Sequence, residues 1–197
     1  MEIEVKILLN ITILVILFFC GAQAQQTTQP NEPSDKRDTL YASANNDVYV
    51  LGDRLTNKIN DVMIRFEPHA LFDDFKTASV SKKKKISVDW NSNADAKRFR
   101  TRIKETCEQE KVNFAGHYCF VSWGCGTECQ VSVVVDALTG KVYNGPMATL
   151  GYKFKADSRM IIVNFPEDPS GYYSDFSSYS KPFLLIWDEN KKEFVER

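Results

Sequence analysis

The segment His117–Asp136 reads H-Y-C-F-V-S-W-G-C-G-T-E-C-Q-V-S-V-V-V-D. Strands are expected over 115–123 and 129–136, joined through G-C-G-T-E-C. Gly124 and Gly126 have the backbone freedom that a tight reversal needs. Val131 to Val135 is apolar on both faces of a period-two segment, so the second strand is expected to be central and covered on each side.

Working outward, period two persists to the C-terminal end of the chain. Further strands are expected at 141–144, 149–155, 159–165, 182–187 and 192–196. The turns between them are A-L-T-G-K (137–141), K-A-D-S-R (155–159) and D-E-N-K-K (188–192). Upstream the period becomes helical. Ala96, Phe99, Ile103 and Cys107 form one apolar stripe, while Lys97, Arg98, Arg100, Arg102, Lys104 and Glu105 occupy the other faces. The S-x-x-D pattern of Ser92 and Asp95 is a capping box, and the helix is placed at about 94–110. Short strands are expected at 47–51, within 60–67 and at 86–90, with a turn or short helix in H-A-L-F-D-D-F (69–75). The fold class is α+β: one amphipathic helix packed on an antiparallel β meander, stabilised by disulfides.

The disulfides follow from arithmetic and geometry. The chain has five cysteines, and Cys20 lies in an apolar leader, leaving Cys107, Cys119, Cys125 and Cys129. An even number in an exported chain argues for two bridges. Fully extended, Cys125 and Cys129 would sit ~13 Å apart, so they pair only if the chain turns between them. The two glycines allow that turn. Cys125–Cys129 is therefore favoured, which leaves Cys107 on the helix for Cys119 on the adjoining strand.

The leader is I-L-L-N-I-T-I-L-V-I-L-F-F-C at 7–20, followed by G-A-Q-A-Q-Q. Ala22-Gln23-Ala24 fits signal-peptidase cleavage after Ala24, so residues 1–24 are read as a signal peptide. Lipidation at Cys20 and a retained anchor are the rival readings. Residues 25–44 hold few packable side chains and are read as a flexible tether, with a single domain over 45–197. Export places the protein in the periplasm or outside the cell. Residues 1–24 carry Glu2, Glu4 and Lys6, and without them the chain's 25 basic and 26 acidic residues become equal in number. That balance offers no basis for nucleic-acid binding. The exception is Lys82–Lys85, read as a solvated loop. Membrane contact is expected only through the export signal or an anchor.

The opening segment also has the residue types for other chemistries. His117 as base with Cys125 as nucleophile would make a cysteine-dependent envelope hydrolase, but no third group is seen to orient His117. A zinc site from His117, Cys119, Cys125 and Cys129 fits no standard knuckle spacing. Asp73-Asp74 and Glu167-Asp168 lack calcium-loop spacing. No metal or cofactor is called for. A redox pair is disfavoured because the spacing is C-x-x-x-C and a strand, not a helix, follows. The reading that remains for the segment is structural, a pinned strand-to-strand corner with His117 bonded to backbone and Trp123 in the core or half-buried beside the bridge. For the whole chain, with a purely structural role as a further alternative, the reading is an exported binding or interaction module. Its contact residues are Trp123, Glu128, Tyr172 and Tyr173, joining the cysteine loop to Y-Y-S-D-F-S-S-Y-S (172–180). The partner is an envelope protein or glycan.

N-F-A-G-H-Y (113–118), W-G-C-G-T-E-C-Q (123–130) and V-D-A-L-T-G-K-V-Y (135–143) together resemble a signature of small exported bacterial proteins of uncharacterised function. R-F-R-T-R-I-K (98–104) and A-D-S-R-M-I-I-V (156–163) are similar too, so the resemblance covers about 86–190. The loop in that group more commonly carries Gly or Ser where this chain has Glu128. The resemblance implies an exported domain with a cysteine-loop hairpin and brings no activity.

Overall fold

The structure is a computed structural model that describes residues 37–176 and 178–196, with Ser178 described by its backbone alone. The segment expected to be a signal peptide (1–24), with its expected cleavage site and Cys20, and the part of the expected tether up to residue 36 lie outside the described residues. Among the described residues, no helix is long and apolar enough to cross a membrane.

His117–Asp136 folds as the hairpin its pattern requires. Strand β4 (Tyr118–Gly126) pairs antiparallel with β5 (Cys129–Asp136), and β6 (Val142–Asn144) completes a three-stranded sheet with β5 in the centre. Alternation assigns the faces. Cys119, Val121, Trp123, Val133 and Val135 point one way, towards the helix α1 (Arg100–Gln109), which contributes Ile103 and Cys107. Tyr118, Phe120 and Val134 point the other way. There they meet Ile161, Val163, Leu185 and Trp187 of a second sheet. That sheet has the order β11 (Glu193–Glu196), β10 (Phe183–Asp188), β8 (Met160–Val163), β7 (Tyr152–Phe154). It too is apolar on both faces. Met160, Ile162, Leu184 and Ile186 pack under Phe66, Phe72 and Phe75 of the preceding strap, which includes a 3-10 turn at Phe72–Phe75. Helix, sheet, sheet and strap thus form successive layers, which is why two strands read as continuous apolar runs.

Several expectations need correction. A third sheet is built from β1 (Asp38–Ala42), β2 (Val48–Asp53), β3 (Lys58–Arg65) and β9 (Tyr172–Ser174). The strands therefore form three sheets rather than one meander, and β9 leaves the second sheet's run to pair with β3, a partner 107 residues away in sequence at Arg65 and Tyr172. Residues 38–42, read as tether, form β1, because Thr39 to Ala42 can complete a backbone ladder with β2 without a strongly apolar face. Residues 86–90 form no strand, and Trp90 lies in a turn. Ile86, Val88 and Trp90 face the helix cluster, while Asp89 N–H donates to Gly140 O (2.8 Å). The helix is shorter than expected, a 3-10 turn at Ala96–Phe99 leading into α1. Ser92 does not cap it, since its hydroxyl donates to Asp89 O and accepts from Val142 N–H. Asn93 Oδ1 takes the Ala96 N–H instead. Ala96, Ile103 and Cys107 are buried, whereas Phe99 is 43% exposed and leans on Trp123.

Both disulfides are present. Cys107–Cys119 ties α1 to β4 with Cα atoms 5.8 Å apart, and Cys125–Cys129 closes the hairpin tip at 5.1 Å. The tip turns through Thr127 and Glu128, with a register shift between Gly124 and Gly126 that leaves Cys125 bulged. Gly126 (φ 143°) and Glu128 (φ 52°) both take positive φ.

Candidate functional site

The hairpin tip does not stand free. Gln130 exchanges two backbone hydrogen bonds with Ala148 (2.7 and 2.9 Å), which draws Met147–Thr149 alongside the hairpin base. Asn164, 3% exposed and at φ 55°, joins this segment to the tyrosine loop. Its Oδ1 accepts from Thr149 N–H, Leu150 N–H and the Thr149 hydroxyl. Its Nδ2 donates to Tyr179 O (3.0 Å) and Lys181 O (3.2 Å). One buried amide therefore fixes the spacing between two walls. Asparagine suits the position because its short side chain tolerates the left-handed region.

Two clefts open between these walls. One, of about 400 Å³, is lined by Glu128, Cys129, Met147, Thr149, Tyr179 and Phe183 among others. The second, of about 260 Å³, is bordered by Glu128, Thr149, Leu150, Pro166, Tyr172 and Tyr173. They share Glu128 and Thr149, so the two clefts adjoin between the cysteine loop and the tyrosine loop. The apolar side chains of the first are unusually exposed: Met147 65%, Tyr179 81%, Phe183 36%. Met147 also edges a third cleft, of about 390 Å³, against Phe99 and Trp123.

The sequence-proposed contact residues fare differently. Glu128 stands between the first two clefts, and no described residue forms an ion pair with it. Tyr173 is half-buried at the edge of the second cleft. Tyr172 is 2% exposed and belongs to the core. Its hydroxyl donates to Asn46 O and accepts from Arg65 Nη2 (2.6 Å), and its ring meets Tyr49 edge-on at 5.3 Å. Trp123 is 8% exposed and lies on the helix side of the hairpin, its ring 4.7 Å from Phe99 and its Nε1 buried without a hydrogen-bond partner. Met147, Asn164, Tyr179 and Phe183 were not singled out from the sequence. A lone asparagine after I-I-V was the available signal for the clamp.

His117 lies at the opposite end of β4 from Cys125. They are eight residue steps apart along the strand, on the order of 26 Å, and Cys125 is bonded to Cys129. The pair cannot act together. Nor does any group of described His, Cys, Asp or Glu residues have metal-binding geometry. Asp74 and Asp168 instead accept local backbone N–H groups, from Leu71 and Ser170.

His117 has its own surroundings. Nε2 is 3.4 Å from Glu189 Oε1 and 3.9 Å from Asp136 Oδ1, and the ring lies against Tyr118 with centroids 4.2 Å apart. Asp136 caps its own turn, accepting from Leu138 N–H and the Thr139 hydroxyl. Glu189 accepts from Tyr118 OH (2.7 Å), Lys192 Nζ (2.5 Å) and Trp187 Nε1 (3.0 Å). Burial works to raise the Glu189 pKa, but the Lys192 ammonium and the Tyr118 hydroxyl outweigh it, holding the carboxyl below its ordinary value. Burial pushes the Tyr118 phenol up to about 12, and the Tyr152 phenol likewise to about 12. Lys192 is raised, its own desolvation outweighed by Glu189 and Tyr118.

In comparisons with known proteins, no family model, no curated protein and no solved structure matches this chain.

Proposed function

We propose that the chain is an exported, disulfide-stabilised binding module of the bacterial envelope, whose contact surface is the groove between the Cys125–Cys129 loop and the tyrosine loop. The observation that carries this reading is the exposure of Met147, Tyr179 and Phe183 along clefts that meet at Glu128. Contiguous exposed apolar side chains with a polar rim mark contact surfaces. Tyrosine adds area and a hydroxyl at small entropic cost. The two disulfides fit an oxidising compartment. The partner is an envelope protein or glycan.

The test is capture from envelope extracts, and binding to an array of envelope glycans, with wild type against Tyr179→Ala and Met147→Ser. Both side chains are exposed, so thermal melting should be unchanged while captured partner or glycan signal falls severalfold. Equal recovery by both variants would remove the groove from the proposal.

A further inference from the structure

We propose that a second cleft, at the His117 end of β4, binds a small phosphate ester of a polyol or sugar, free or as the end of an envelope polymer. The cleft measures about 360 Å³ and is lined by Thr77, Ser79, Gly116, His117, Arg159 and Glu189, with Ala78 and Ala115. That volume lies in the range of small-molecule sites and exceeds what a bare phosphate needs.

The cleft is built from three directions. Ala115 (φ 43°) and Gly116 (φ 82°) are both left-handed. Their N–H groups donate to Ser158 O (3.1 Å) and Ala156 O (2.7 Å), and Gly116 O accepts from Ser81 N–H (2.7 Å). A Cβ on Gly116 would lie 2.8 Å from Ser79 O, so the two backbones are in close approach. The side-chain chemistry is divided. At one side Arg159 uses Nη1 on Trp187 O (3.2 Å); its charge also acts on the Asp188 carboxylate, but no described carboxylate lies within ion-pair distance, which leaves donors of its planar fork for an oxyanion. Ser79 lines the same side. The exposed Lys82–Lys85 run follows the Thr77–Ser79 wall in sequence, is tied to it where Ser81 N–H donates to Gly116 O, and enters no ion pair among the described residues. This positive field favours an anion. At the other side Glu189 has its charge offset by Lys192. Its three recorded donors leave acceptor capacity out of roughly four lone-pair sites, and with His117 it suits a hydroxyl. Phosphate against Arg159 and hydroxyl against Glu189 describes a phosphorylated polyol.

The experiment is an amide-shift NMR titration of the folded domain with glycerol 1-phosphate, inorganic phosphate and glycerol, at fixed ionic strength. Expected are saturable shifts at Ser79, Gly116 and His117 with glycerol 1-phosphate, weaker ones with inorganic phosphate and none with glycerol. Arg159→Gln should weaken binding at least tenfold, and Arg159→Lys, which keeps charge but not the fork, should fall between. Lys82–Lys85 changed to Gln should weaken it severalfold and flatten its salt dependence. A flow assay with phosphatidylglycerol vesicles separates a lipid source from a soluble one: the proposal expects no vesicle binding, and vesicle binding lost in Arg159→Gln would overturn the soluble-ester assignment. Absence of saturable shifts in wild type, shifts away from the cleft, or equal affinity in Arg159→Gln would overturn the site. Equal affinity for inorganic phosphate and glycerol 1-phosphate would overturn the ester.

Discussion

Removing each disulfide separately should give two different losses, because the bridges sit in different surroundings. Cys107–Cys119 closes 12 residues and Cys125–Cys129 closes 4. Loop-closure entropy gives about 3 kcal/mol for the first and about 2 kcal/mol for the second. The first pair is also buried, at 2% and 0% exposure, among Ile103, Val121 and Trp123, so deleting both sulfurs opens space in a packed cluster. Roughly 1 kcal/mol per lost sulfur is a fair allowance for that space. Cys125 is exposed and Cys129 half-buried, so their replacement carries little packing loss. Cys107→Ala/Cys119→Ala should therefore cost about 4–5 kcal/mol, and Cys125→Ala/Cys129→Ala about 2 kcal/mol. At about 2–4 °C per kcal/mol for a domain of this size, the melting temperature should drop by roughly 8–20 °C and roughly 4–8 °C. Non-reducing urea denaturation and calorimetry of the two double variants measure both. Equal losses, or the larger loss at the hairpin tip, would refute the layered account of the helix cluster.

Asn164→Ala removes a buried amide with five recorded hydrogen bonds. It should cost about 2–4 kcal/mol by urea denaturation and weaken partner capture, as the groove walls lose their spacer. Gly116→Ala places a Cβ 2.8 Å from Ser79 O at φ 82°, so a loss of about 1–3 kcal/mol is expected from the melting temperature. Tyr118 and Tyr152 hold their protons more tightly folded than unfolded, with pKa values raised to about 12 from 10. The folded state thus binds more protons above pH 10, so the stability they lend is complete below pH 10 and declines as pH rises towards 12. Each contributes at most ~3 kcal/mol to that decline at 1.36 kcal/mol per unit. Urea midpoints between pH 8 and 11 should show the decline, and Tyr118→Phe should flatten part of it.

Local signals were legible where the structure is local. The hairpin, the turn at Asp136–Lys141 and both cysteine pairings follow from spacing, because strand alternation and turn chemistry are short-range properties. The third sheet was hidden for the opposite reason. Tyr172–Ser174 has three residues and a mixed pattern, and its partner β3 is remote in sequence. Residues 86–90 show the converse limit: alternation reports burial of Ile86, Val88 and Trp90 but says nothing about whether a ladder partner exists. Tyr172 is a related case: a surface loop with two aromatics tucked into the sheet edge is one reading of 172–180 beside the contact reading, and the structure buries Tyr172. Its hydroxyl is satisfied inside the domain by Arg65 and Asn46, which no local rule anticipates.

The density of cysteine, histidine and glycine in residues 117–130 invites a single-site reading, and the geometry of β4 explains why it divides instead. Tyr118–Gly126 is one strand of 9 residues, so its ends are held on the order of 27 Å apart by the ladder with β5. Cys119 is spent on the helix, at the level of the core. Cys125 and Cys129 are spent on the tip, where the bulge would otherwise leave Glu128 and Thr127 free to splay from Met147–Thr149. His117 remains at the far end, beside carboxylates already engaged by Lys192 and by the Asp136 turn. Each end therefore presents a preformed recess, and no nucleophile of this stretch faces the histidine. The two surfaces proposed above would thus lie at opposite ends of one hairpin, held apart by the ladder between β4 and β5.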